Sequence, residues 1–135
     1  MNTEQAFEIS LIALEEKGFD AIREPEKVLA TIWSIEAEVN NGGFDQYFYN
    51  SAGDLAFYSV KALETIGAIK MASITQKALD LFGESGPARD RDERLKQLET
   101  FSEIKEDYIN GLDCSFTEYP DDLQEMVATY VQATF

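Results

Sequence analysis

The chain has no histidine and only one cysteine, Cys114, among its 135 residues. Without an imidazole, histidine-based catalytic triads, His-ligated zinc sites and His-Glu-x-x-His chemistry are excluded. A single thiol can form neither an intrachain disulfide nor a cysteine metal cluster. Positive charge is also scarce: 11 Lys and Arg face 26 Asp and Glu, for a net charge of −15. Like charges repel, which argues against direct contact with nucleic acid or an anionic membrane. No apolar run is long enough to cross a bilayer and no charged-then-apolar leader opens the chain, so a cytoplasmic location is expected. Period-two alternation is missing as well, so no strand is expected.

What remains is a chain built to fold. Apolar residues make up 44% of it, with nine Phe, six Tyr and one Trp; disordered acidic chains lack such a composition. The length suits one domain that buries its own core, so the acidity must sit on a compact surface. A small domain needs a net charge of only about 2–8 for solubility. The excess points to cations or to a basic protein surface, with solubility alone as the plainer reading. Duplex DNA carries about one charge per 1.7 Å of axis, so a domain about 35 Å across matches a stretch bearing on the order of 20 charges.

Apolar spacing places the elements. A first helix is expected from Glu4 to Lys17, with Phe7, Leu11 and Leu14 on one stripe, Ile12 widening it and Gly18 ending it. Pro25 opens a second helix toward Asn40, with Val28, Ile32, Ile35 and Val39 inward, flanked by Leu29 and Trp33. Asn40-Asn41-Gly42-Gly43 ends it, and Phe44 to Tyr49 reads as a short aromatic helix. Ser51 with Asp54 resembles a capping box for a helix carrying Leu55, Tyr58, Ala62, Leu63 and Ile66. Another runs through Ile74, Ala78, Leu81 and Phe82. After a loop at 83–89, Asp90 and Glu93 cap a helix with Leu95, Leu98, Phe101 and Ile104 on one face. Asp113 to Tyr119 reads as irregular, and Pro120 opens the last helix, with Leu123, Met126, Val127, Tyr130 and Val131 inward. The expectation is one all-α, bundle-like domain of six to seven helices over residues 1–135.

The charge is uneven. Residues 1–54 carry −8, residues 55–98 carry +1 and residues 99–135 carry −8. If the termini pack together, as they often do, their acidity merges into one broad face.

The densest motif is Glu36-Ala37-Glu38-Val39-Asn40-Asn41-Gly42-Gly43-Phe44-Asp45-Gln46-Tyr47-Phe48. Helical projection puts Glu38 on the wet side, opposite Val28 and Ile32, and Glu36 within the apolar arc. A carboxylate there must be hydrogen-bonded or its pKa rises. One reading makes Glu36 a poised acid or base, or half of a metal site with Asp45. The favoured one has Glu36 accepting backbone N–H bonds from the Asn-Gly-Gly turn, because buried polar groups usually satisfy neighbours.

The run from Glu38 to Phe44, followed by Gln46, Phe48 and Asn50, resembles the signature of the DUF4375, or DMP19-like, family, which is named after a DNA-mimic protein. The resemblance extends through Ser51-Ala52-Gly53-Asp54 to the acidic Tyr119-Pro120-Asp121-Asp122-Leu123. It implies an all-α fold and acidic side chains that imitate DNA phosphates on a partner's DNA-binding surface. The motif residues Glu36, Glu38, Asn40, Asn41, Gly42, Gly43, Phe44 and Gln46 themselves read as architectural.

Mimicry needs carboxylates on a rigid frame at phosphate-like spacing. The candidates are Glu4, Glu8, Glu15 and Glu16 near one terminus, with Glu103, Glu106, Asp107, Glu118, Asp121, Asp122 and Glu125 near the other. Glu4 and Glu8 lie one helical turn apart, about 6 Å. The leading expectation is a bacterial, DNA-mimic-like transcription regulator that binds a basic DNA-binding protein and competes with DNA. It would use no cofactor, and no catalysis. The alternative is an immunity or antitoxin protein that plugs a basic nuclease toxin. A third reading is a metal- or small-ligand-binding protein that uses Glu36, Glu38 and Asp45. A homodimer would suit a partner that binds palindromic DNA.

Overall fold

A helix leaves its first N–H groups without intrahelical acceptors, and the polar side chains of this sequence supply them. A computed structural model describes residues 1–135 as seven α-helices with no strand. Asn2 caps α1 (Thr3–Lys17) by accepting the Gln5 N–H at 2.8 Å, and Gln5 returns the bond at 3.1 Å. Helix α2 (Glu24–Tyr49) starts where Glu26 accepts the Arg23 N–H at 2.9 Å. Helices α3 (Ala56–Thr65) and α4 (Ile69–Asp80) follow. Asp90, Ser102 and Asp122 then cap α5 (Arg91–Glu99), α6 (Glu103–Thr117) and α7 (Leu123–Thr134). Each such cap contributes about 1 kcal/mol.

Helix α2 is the hub, against which α1, α3, α5 and α6 all pack. Its Val28, Leu29, Ile32, Ile35 and Val39 are buried, and Phe44, Tyr47 and Phe48 beyond its kink are completely so. Rings continue this core: Phe44 meets Phe116 edge-on at 5.5 Å, Phe48 meets Phe82 at 4.8 Å, and Phe82 meets Phe101 at 5.0 Å. Burying a Phe side chain contributes about 1.5–3 kcal/mol. Helix α4 closes the far side against α3 and α6, while α7 lies on α1. Gln132 Nε2 reaches the Met1 carbonyl at 3.4 Å, so the termini do meet.

Five sequence expectations are corrected. The centre of the α1 stripe is Ala6, Ser10 and Ala13, whose small size lets α1 lie close to α2; Phe7, Leu11 and Leu14 flank it and Ile12 is exposed. Ser51 and Asp54 form no capping box, because Ser51–Leu55 is a 3-10 turn and Asp54 pairs with Arg94 instead. The helix from Asp90 stops at Glu99, and Ser102 starts a new one, which leaves Ile104 82% exposed. That new helix runs through Gly111 to Thr117, so residues 113–117 are helical, and Asp122 rather than Pro120 opens α7. A capping serine two residues beyond Thr100 overrode the apolar spacing there.

Candidate functional site

A residue at positive φ breaks a helix, and glycine tolerates that conformation best. Gly43 sits at φ +80°, and this divides α2 into segments 24–41 and 44–49. The break creates a second set of free N–H groups. Asp113 of α6 accepts the Phe44 N–H at 2.8 Å, and a Cβ on Gly43 would fall on that carboxylate. The glycine is thus required both by its torsion and by the approach of Asp113.

The rest of the motif braces this kink. Glu38 Oε2 accepts from Gln46 Nε2 and Asn50 Nδ2, each at 2.9 Å, and so ties the first segment to the second. Asn40 Nδ2 donates to Tyr119 Oη at 2.6 Å. Neither glutamate does what helical projection alone suggested. Glu38, expected on the wet side, is half-buried and bonded. Glu36, expected to serve the turn, accepts no N–H there; Asp113 does so. Burial raises the Glu36 pKa above the ordinary carboxylate value. Asp45 turns elsewhere, to Glu106. Glu36, Glu38 and Asp45 do not converge, and no trio of acidic or cysteine side chains is arranged to hold a metal ion.

One structural residue was missed in the sequence. Arg94 is completely buried and donates to the carbonyls of Phe48 at 2.6 Å, Asn50 at 2.9 Å, and Ala88 and Arg89 at 3.0 Å each. Its partner carboxylate is Asp54 at 3.0 Å. Gly53 is needed beside it, because a Cβ there would meet the Tyr47 carbonyl. Only the count of carbonyls left at the end of α2 and in the 83–90 loop hinted at such a donor.

The acidic candidates fall into three groups. Glu4, Glu8, Glu15, Glu16, Glu103, Asp107, Glu118, Asp122 and Glu125 are exposed. Glu106 is half-buried and shares a hydrogen bond with Asp45; that bond, desolvation and the charges of Asp45 and Asp113 push its pKa up to about 7. Two ionised carboxylates have no proton to share, so this pair holds one near neutrality. Asp113 is raised too, by burial and by Asp45, against the lowering pull of the Phe44 N–H. Asp121 leaves the surface set: it is buried, and Oδ2 accepts the Met71 N–H at 2.8 Å to cap α4 from across the fold.

None of the four ion pairs of the chain involves any of these eleven acids; they join Arg23 to Glu26, Arg89 to Asp20, Arg94 to Asp54 and Lys96 to Glu93. Carboxylates of the first group therefore stand on the helices or at their ends without counter-charges of their own.

An all-α domain built round a helix broken at Gly42-Gly43, with uncompensated acids on its outer helices, is the class defined by this fold and surface. The description DMP19-like protein belongs to the family model that matches residues 20–134, and the chain is a member of that family. No curated protein and no solved structure gave a match.

Proposed function

We propose that this protein is an acidic, DNA-mimic-like regulator that binds a basic DNA-binding protein and competes with DNA for it. The observation that carries this reading is the set of exposed carboxylates that no Lys or Arg neutralises, on a chain of net charge −15. Pairs such as Glu4 and Glu8, or Glu103 and Asp107, lie one helical turn apart, about 6 Å, near the spacing of neighbouring phosphates. Capped helices packed on α2 hold them in place, so little ordering entropy is lost on docking. Membership of the DMP19-like family supports the same reading. The protein acts by occupancy, and no cofactor enters.

The test is a pull-down from bacterial lysate at low and high salt, followed by competition with duplex DNA. Screening within about 8–10 Å at physiological salt makes such docking ionic-strength dependent. A captured DNA-binding protein that is released by raised salt and displaced by duplex DNA supports the reading. An affinity indifferent to salt, or a partner that binds DNA and this protein together, refutes it. Capture of a nuclease whose activity is blocked would replace it with the immunity-type role.

A further inference from the structure

A cleft of about 570 Å³ opens where the start of α1 and the start of α7 meet α2. Phe7, Tyr119 and Val127 give it apolar walls, and Glu36, Asp121 and Asp122 bring carboxylates to it. None of its nine lining residues is basic. Six of the chain's 11 bases sit elsewhere, over the rings of Phe19, Tyr49, Phe57, Tyr58, Phe101 and Phe135. Phe7 and Tyr119 carry no such cation.

The carboxylates in the cleft also keep acceptor oxygens free. Glu36 makes no hydrogen bond or ion pair within the protein, and desolvation without a compensating donor raises its pKa. Asp121 uses Oδ2 on Met71 and Asp122 uses Oδ1 on Glu125, which leaves one oxygen of each without a protein donor. Carboxylates beside aromatic rings that carry no cation, with an aliphatic wall, call for a cation that is flat, rich in N–H groups and carried on an apolar stem. A guanidinium meets all three conditions, since it stacks on rings and binds carboxylates in a fork. A compact, strongly hydrated ammonium meets them less well.

We propose that this cleft receives an arginine side chain of the basic partner protein, with the guanidinium on Glu36 and against the rings of Phe7 and Tyr119. The inference rests on the acidic surface being a protein-docking face, and it names the anchor point on that face. Glu36 is then the contact residue that the fold leaves unsatisfied for the partner.

The probe is N-acetyl-arginine N-methylamide, titrated into the full-length, isotope-labelled protein with chemical shifts as the readout. Trp33 gives a second signal, because its ring lies 5.4 Å from that of Phe7. Saturable shifts confined to the start of α1, the neighbourhood of Glu36 and residues 119–127 are expected. Glu36→Gln should weaken binding about tenfold or more, as loss of a charged hydrogen-bond partner does, and should leave thermal stability unchanged or higher. The neutral citrulline analogue should not bind. Shifts spread evenly over all acidic residues, equal binding by Glu36→Gln, or equal binding of the citrulline analogue would overturn the proposal. A basic DNA-binding domain that binds Glu36→Gln at wild-type affinity and is displaced by DNA would remove the cleft from the account while the mimic reading survived. Saturable arginine binding beside a partner that DNA fails to displace would do the reverse.

Discussion

Replacing Arg94 with methionine keeps most of the apolar stem and deletes the guanidinium. Four main-chain carbonyls, those of Phe48, Asn50, Ala88 and Arg89, then lose their donor, and Asp54 loses its cation. Hydrogen bonds to charged groups contribute about 1.5–3 kcal/mol each, but these four share one side chain and cannot be added. Asp54 is half-exposed, so water recovers part of its loss. Breaking a buried charged pair costs about 3–5 kcal/mol, and the lower half of that range is expected here. Total stabilities of about 5–15 kcal/mol make this a large fraction. With a urea m-value of about 1–3 kcal/mol/M, the midpoint should fall by roughly 2 M. Far-UV circular dichroism and Trp33 fluorescence should report the same transition. Arg94→Lys should recover little, since one ammonium cannot fan out to four carbonyls. A shift below about 0.5 M with unchanged m-value would show that water replaces the guanidinium without loss, and that Arg94 does not lock the kinked helix to the 83–90 loop.

Gly43→Ala should lower stability by more than about 2 kcal/mol, because strain at positive φ is joined by the Asp113 carboxylate in the way. Gly67→Ala, at φ +91° with open space around it, should show only the torsional cost of about 1 kcal/mol; equal losses in thermal melts would contradict the clash. Glu106, with its pKa pushed up to about 7 by the shared bond with Asp45, holds its proton more tightly folded than unfolded. The associated stability is present at pH 5 and disappears as pH rises through 7, to the extent of about 1 kcal/mol after solvent screening. Asp45→Asn should flatten that part of the urea-midpoint profile, and an unchanged profile would refute the pairing. Asp121→Ala should cost about 1–2 kcal/mol through the lost α4 cap, whereas Glu125→Gln should change stability by less than about 0.5 kcal/mol. Indistinguishable melting temperatures would place Asp121 back among the surface acids.

Local physics was legible in the linear chain. Apolar spacing announced most of the helices but ran α5 into the start of α6 and read the end of α6 as irregular, whereas Asn40-Asn41-Gly42-Gly43 announced where α2 breaks, because torsional preference belongs to the residue itself. The missing imidazole and the surplus of acid likewise follow from composition, whatever the fold. Which acids are surface acids does not. Asp113 reaches a helix start 69 residues away, Asp121 one 50 residues away, and Arg94 a carbonyl 46 residues away. Helical projection placed Glu36 and Glu38 by angle alone, and angle cannot tell which distant donor will arrive. Only packing brought Gln46 and Asn50 to Glu38 and left Glu36 bare in a cleft between α1, α2 and α7. A carboxylate's role is set by the donors and the water that tertiary structure leaves beside it, and periodicity along the chain encodes neither.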